Sequence, residues 1–447
     1  MALLDTNGGE LGEPWLDHVM YEESFWTTRK GSDADDTSVV SDTRVSSALA
    51  SSVVLISTSI GTGLLAMPFV FWLLGAVPGA LLLCGFATLS AFCSYLLCEC
   101  CEWSRVYSYE EIVVEAFGQK GACVMESVVI WLLFGAMTSV LVVTGDVLIL
   151  IADVAAPKWF CQRTALLALF VCIVILPLSS VRSLTALRNS NTVAITCTVI
   201  VGILLMSHGA DREGLEAIGA WPCDSNVLSM LPAVPIMMLS LGCQVQVPPV
   251  YGDLDQRSLP RMTLVLVAVG VACFLIYLSV ALFGLAAISG LNNDGSPVPG
   301  NALDAFSSRD KSAFAMRAFM GLAMTMVYPL LCVPCRSTVD HLFFGGGGRS
   351  KRSTRANVRH TVETLAIVCF TFALATAEQN FAKIFGFTGA TAGTLICYVL
   401  PLTSYLCIRT RQSDHDRENT RVTAACCIVL LVVLFPLSCV ITVKVLC

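Results

Sequence analysis

Between Arg44 and Glu99 the chain carries no charged residue. No water-facing fold can be built from such a stretch. Its first part, from Val45 to about Leu74, is longer than the ~20 apolar residues one membrane-spanning helix needs. In the middle of that part stand Ser57, Thr58, Ser59, Ile60, Gly61, Thr62 and Gly63, with Pro68 beyond. Glycine weakens a helix by roughly 1 kcal/mol relative to alanine, and short hydroxyl side chains compete for backbone hydrogen bonds. Unwound backbone at membrane depth is tolerated only where protein buries it or where it lines a cavity. The stretch therefore predicts a discontinuous helix whose freed amides and carbonyls form a binding site near the bilayer midplane. A chain organised in this way is a transporter candidate.

The remaining sequence is of the same kind. Only 13% of the 447 residues are charged, against about 25% in a soluble domain, and mean hydropathy is +0.75. The formal charge of −6 decides little. Residues 1–44 are polar and acidic, with Asp33, Asp35, Asp36 and Asp42 close together, and lack the apolar core of a signal peptide. They predict a disordered tail. Eleven apolar spans follow, at about 45–74, 77–100, 123–152, 164–181, 190–208, 226–250, 262–289, 313–337, 359–377, 383–408 and 421–444. With the N-terminus in the cytoplasm, 19 of the 27 lysines and arginines fall on the cytoplasmic side, as the positive-inside rule requires. The predicted divisions are a tail (1–44), a five-helix unit (45–208), an extracytoplasmic loop (209–225), a second five-helix unit (226–408), a cytoplasmic loop (409–420) and a last helix (421–447).

Those two units point to a repeat. The sixth span, uncharged from Ser225 to Val250, contains Pro232, Pro235, Ser240, Gly242, Gln244, Gln246, Pro248 and Pro249. Interrupted spans at matching positions of two halves are the sequence pointer to a transporter site, and an odd number of spans per half inverts one half against the other. The fold class expected is an all-α, 11-span membrane protein with a 5+5 inverted repeat, helices 1 and 6 broken, and an eleventh helix outside the repeat.

Most of the 21 cysteines lie in apolar runs, where they act as small hydrophobes. Cys161 and Cys223 fall in separate extracytoplasmic loops and are the candidate disulfide; two unrelated thiols are the alternative. Cys98, Cys100 and Cys101 sit at a cytoplasmic helix end, as palmitoylation sites or as ordinary thiols.

At the sixth span a family resemblance emerges. Cys243-Gln244, Val247-Pro248-Pro249-Val250-Tyr251-Gly252-Asp253-Leu254 and Arg257-Ser258 resemble the amino acid/auxin permease family, particularly its sodium-coupled neutral amino acid transporter branch. Ile60-Gly61-Thr62-Gly63-Leu64-Leu65-Ala66-Met67-Pro68 is similar to that family's opening motif. Tyr109-Glu110-Glu111 with Ala116-Phe117-Gly118, Tyr328-Pro329 with Pro334-Cys335-Arg336, and Phe385 to Gly393 leading to Tyr398 and Pro401 extend the match over about Ser46–Ile408. The resemblance implies two inverted five-helix repeats plus one helix, and alternating-access transport of amino acids driven by a sodium or proton gradient. It implies a LeuT-like arrangement and no cofactor beyond the coupling ion Na+ or H+; the partners expected are an amino acid substrate and the bilayer, nothing points to nucleic acid, and an obligate protein partner is left open.

Amides at a broken helix's N-terminal end suit a substrate carboxylate, which assigns Gly61, Thr62 and Gly63 with Thr58 and Ser59 nearby. Close packing through small residues is the alternative. Unwound backbone around Ser240, Gly242 and Gln244 suits the ammonium group, although Gln244 would serve equally as an interhelical hydrogen bond. The resemblance places sodium between spans one and eight, at Ser57, where sodium-coupled relatives commonly carry Asn, and at Thr325. Asp146, an acid inside the third span, is the candidate for proton coupling, or else a structural hydrogen bond near the outer mouth. Glu126 reads as snorkelling at the cytoplasmic interface, and His208 as a solvated outer residue.

An embedded enzyme lacks residues: there is no HExxH, no GxSxG and no pair of aspartates within spans. A channel lacks its filter repeats or charge rings. An amino-acid-sensing transceptor is the alternative to a transporter. A neutral substrate is expected, since Asp146 is the only acid available to a cationic one; plasma and endolysosomal or vacuolar membranes both remain open.

Overall fold

The computed structural model describes residues 46–155, 162–180, 188–209, 230–291, 298–307, 310–344, 354–412 and 420–446. The acidic tail, most of the 209–225 loop, and both Cys161 and Cys223 lie outside the described residues.

The first apolar stretch forms two helices, α1a (Ala48–Ser59) and α1b (Gly63–Leu74), bent by 66° across Ile60–Thr62. Ser47 starts α1a by accepting the Ala50 amide on its side chain at 3.2 Å. The break falls where Gly61 and Gly63 remove helix propensity and where three successive hydroxyls, on Ser57, Thr58 and Ser59, bond back to carbonyls of their own turn. After it come α2 (Ala76–Ser104), α3 (Tyr109–Ala155), α4 (Arg163–Ser179) and α5 (Arg188–His208). The α3 helix begins fourteen residues before the expected third span. Gly118, at φ 70°, marks a kink between its motif-bearing first turns and the spanning part; that left-handed geometry favours glycine.

The sixth segment is broken too. Helix α6a (Ala233–Ser240) stops at Leu241, a 3-10 turn runs Gln244–Gln246, and α6b (Val247–Asp253) starts on Pro248 and Pro249. The interruptions of α1 and α6 thus stand five helices apart. Then follow α7 (Leu259–Leu291), α8 (Lys311–Phe344), α9 (Thr354–Ala377), α10 (Phe381–Arg409) and α11 (Arg421–Leu446). Among the described residues nine helical segments are long and apolar enough to cross a membrane, or ten with the bent α1 pair. Helix α4 is apolar but shorter, so nine or ten spans stand among the described residues against the eleven expected. Within α10, Gly389–Gly393 and Leu395–Val399 are π-helical, a wider winding that often accompanies functional segments.

The broken helices sit inside the bundle. Helix α7 packs along α1a, α1b, α2 and α5, α8 lies against α3 and α5, and α6a touches α1b and α10. Leu64, Leu65, Met67, Val70 and Phe71 of α1b are all buried, so this uncharged helix is wrapped by protein and not by lipid. Helix α11 lies at the edge against α10, with Val432, Val433 and Phe435 exposed. At one end of the bundle Ser46 pairs with Leu254, through Ser46 N–H to Asp253 O at 2.8 Å and Asp255 N–H to Ser46 O at 2.9 Å. This is the N-terminal end. The opposite end carries the short 3-10 turn Ala302–Ala305 between α7 and α8.

Candidate functional site

A cavity of about 300 Å³ opens at the α1 break. Ser57, Thr58, Ile60, Gly61 and Thr62 form one wall. Ala136 and Val140 of α3, Asn191 to Thr198 of α5, Gln246, and Met324 to Leu331 of α8 form the rest. No charged side chain lines it. Its polar groups are hydroxyls and the carboxamides of Asn191 and Gln246, which pair with zwitterions and neutral polar groups without the cost of desolvating a fixed charge.

The expected binding residues divide between two faces. Ser57, Thr58, Gly61 and Thr62 line the cavity, whereas Ser59, Gly63, Ser240, Gly242 and Gln244 do not. Ser59 instead faces a second void of about 20 Å³ behind the break, with Ser90, Ser94, Cys243 and Cys273. Gly63 is where α1b meets α6a: a Cβ there would lie 2.1 Å from Ser240 Oγ. Gly242 is likewise pressed on α10, with Cys397 Sγ 2.9 Å from any added Cβ.

Gln244 is fully buried and committed to internal bonds. Its Oε1 accepts the Cys243 amide at 3.0 Å and its Nε2 donates to Ser90 Oγ at 2.9 Å. Ser90 in turn donates to the carbonyl of Leu241 at 2.8 Å. The interhelical alternative for Gln244 describes this geometry. Gln246, two residues on, is the amide that reaches the cavity.

Most carbonyls freed by the two breaks are already partnered. The buried Tyr277 hydroxyl of α7 sits 2.6 Å from Ser59 O and 2.9 Å from Ser240 O, and also faces the Gly61 amide. Tyr398 donates to Met238 O at 3.0 Å. Tyr277 thus staples the end of α1a to the end of α6a. Sequence reasoning missed it, although a tyrosine deep in an uncharged span must find a hydrogen-bond partner. With these groups occupied, and the Leu64 and Leu65 amides bonded to Gly61 O and Thr62 O at 3.1 Å, the Thr62 backbone and the hydroxyls of Ser57, Thr58 and Thr62 are what the break presents to the cavity.

Ser57 Oγ donates to Val54 O at 2.7 Å and Thr325 Oγ1 to Gly321 O at 2.6 Å. Each oxygen keeps lone pairs, and of the two only Ser57 lines the cavity; Met324 takes the corresponding place on α8.

Asp146 does not line this cavity; it stands on α3 beyond Val140, toward the end opposite Ser46. Arg163, the first residue of α4, donates to it from Nη2 at 2.8 Å and from Nε at 3.0 Å, and both side chains are mostly buried. Glu126 does not snorkel. Its side chain is 8% exposed and stands 2.9 Å from His341 Nδ1 of α8, because α8 packs on α3 along this whole length. His208 is partly buried, 2.6 Å from Ser312 Oγ, and its ring lies against Phe306.

Residues 44–444 match the family model described as transmembrane amino acid transporter protein. Among curated proteins, solute carrier family 38 member 10 of Mus musculus is 27% identical over 372 residues, which is 78% of this chain and 32% of that protein. The putative sodium-coupled neutral amino acid transporter 10 of Xenopus laevis is 25% identical over 362 residues, 78% and 34% of the two chains. The match thus spans about a third of the length of these relatives. Among solved structures, a Na+-coupled sialic acid symporter in a substrate-bound outward-open state aligns with 89% of this chain and 94% of its own, at 11% identity and a TM-score of 0.46, too loose a likeness to carry an argument. With a family model matched from before α1a to the end of α11, the chain belongs to the transmembrane amino acid transporter protein family.

Proposed function

We propose that the chain is a secondary active transporter that moves neutral amino acids across a membrane by alternating access. The single observation that carries this reading is the uncharged cavity at the α1 break. The Thr62 amide and hydroxyl, at the positive dipole end of α1b, would take the carboxylate, with Thr58 beside them on the cavity wall. Gln246, Asn191 and Thr198 would meet the remaining polar groups, and Met324, Val327 and Leu331 an apolar side chain. Lack of a fixed charge favours a neutral substrate over a cationic or anionic one.

In this reading α1–α5 and α6–α10 are inverted halves, α4 completes eleven crossings, and the N-terminal end faces the cytoplasm. The cavity then opens toward the cytoplasm while the opposite end is closed. Transport is coupled to a sodium or a proton gradient. Ser57 is the cavity oxygen that would help hold sodium, with Thr325 behind it.

Uptake of labelled amino acids into proteoliposomes, under separately imposed sodium and proton gradients, tests this. Concentrative uptake of neutral amino acids under one gradient is expected. A folded preparation that accumulates none under either gradient contradicts the reading.

A further inference from the structure

The end of the bundle away from the cavity is covered by residues 298–307. Val298, Asn301, Ala302, Leu303 and Phe306 of this segment are buried. Its 3-10 turn touches α1b, α7 and α8, and Gly300 approaches the start of α10 so closely that a Cβ there would lie 2.6 Å from the Ala382 Cβ. The cover is held by its backbone. Arg317 of α8, 1% exposed, donates to the carbonyls of Leu303 (3.1 Å), Phe306 (2.5 Å) and Ser307 (3.2 Å).

Asp304 is the one titratable residue in this segment. Asn301 donates from Nδ2 to Asp304 Oδ1 at 3.1 Å, and the same side chain hydrogen-bonds the Asp146 carboxyl. A single amide therefore lies between two carboxyl groups, one on the cover and one on α3. Arg163 is paired to Asp146, and the Arg317 guanidinium is turned to the cover's carbonyls. Asp304 is exposed at its outer side, so protons from bulk water reach it.

We propose that residues 298–307 are a proton-dependent cover over this end of the bundle, seated more firmly when Asp304 is protonated. That the cover closes a transport path rests on the function proposed above; its dependence on protons does not.

The sign follows from linkage. Seating brings Asp304 beside Asp146; lifting puts it in water, where an aspartate titrates near 3.9. Partial burial first and the Asp146 carboxylate second push seated Asp304 up to about 7. The seated state therefore binds a proton that the lifted state releases, so seating is favoured as pH falls below 7 and loses that advantage above it. One proton limits the effect to about tenfold in the seated-to-lifted ratio per pH unit. Other charged groups at this end, among the described residues, include His208 of α5, whose ring meets Phe306, and Asp310, held below the usual carboxylate range by the Ser312 hydroxyl, with Asp153 near the end of α3, Lys311 at the start of α8 and the Lys383–Glu378 ion pair at the start of α10. His208, whose ring lies against the cover, is the rival sensor.

Hydrogen exchange of residues 298–307, read by mass spectrometry on the full chain in nanodiscs at pH 5.5 and 8 and corrected for intrinsic exchange, tests the proposal without any transport measurement. Protection in the unsubstituted protein should be at least tenfold higher at pH 5.5. Asp304→Asn mimics the protonated acid and should stay protected at both values, while His208→Gln should keep the full difference. Equal protection at both pH values in the unsubstituted protein overturns the proposal. So does a difference lost in His208→Gln, which makes the histidine the sensor. Failure of uptake with the exchange difference intact would refute the transport reading alone.

Discussion

The contact between Gly63 and Ser240 gives the sharpest test of how the two broken helices meet. Gly63→Ala adds one methyl group, whose carbon would stand 2.1 Å from Ser240 Oγ, 2.8 Å from its Cβ and 3.3 Å from its Cα. Ser240 cannot simply turn away, because it is 3% exposed and its hydroxyl is bonded to Ile236 O at 2.7 Å. Overpacking of this kind costs about 1–3 kcal/mol, and here it also pushes α1b off α6a. Ser240→Gly removes both the Oγ and the Cβ, leaving the tolerable 3.3 Å contact. The double variant Gly63→Ala/Ser240→Gly should thus recover about 1–2 kcal/mol of what the single changes together lose, a coupling of the size neighbouring residues show. Unfolding of purified protein in detergent, with uptake by the same preparations, measures it. Strict additivity, or a Gly63→Ala variant of full stability and full uptake, would show that the helices do not meet this way.

Further outcomes follow from the same geometry. Gln246→Leu should raise the KM for uptake at least tenfold and leave stability within ~1 kcal/mol, because the side chain faces a cavity; titrating uptake against substrate concentration checks this. Ser90→Ala should do the reverse, destabilising by about 1–3 kcal/mol as Gln244 and the Leu241 carbonyl lose a buried partner, with KM little changed. Tyr277→Phe strips the staple from Ser59 O and Ser240 O and should lower both stability, by about 1–3 kcal/mol, and uptake. Arg163→Met leaves the Asp146 carboxylate without its cation. A loss of roughly 3 kcal/mol is expected from chemical unfolding at neutral pH, and Asp146→Asn in the same chain should restore part of it.

The breaks were legible in the sequence because their cause is local. Gly61 and Gly63 lower helix propensity where they stand, and Pro248 and Pro249 start a helix more readily than they continue one. Which side chain faces which void was not legible. Ser57 and Ser59 are two residues apart on an uncharged helix, and where lipid and protein interior are equally apolar no amphipathic stripe shows the rotation. Gln244 and Gln246 are separated in the same way: a 3-10 turn, invisible in composition, sends one amide to Ser90 and the other to the cavity. Asp146 was conspicuous as an acid in a span, but its partner begins another helix, and nothing in the intervening sequence ties the two together. Tyr277 carried a signal, a hydroxyl amid apolar neighbours, without an address. Glu126 looked interfacial because it starts an apolar run; the length of α8 alongside places His341 beside it.

Transport by this chain rests on the cavity at the α1 break. Gly61 has nothing within 4 Å of where a Cβ would go, so Gly61→Leu can fold without a clash while its side chain occupies that space. The decisive measurement is gradient-driven uptake of neutral amino acids by this variant beside the unsubstituted protein, both shown to be folded and inserted. Loss of uptake with unchanged unfolding behaviour is the predicted result. Uptake at the unsubstituted rate would place the substrate elsewhere and contradict the account.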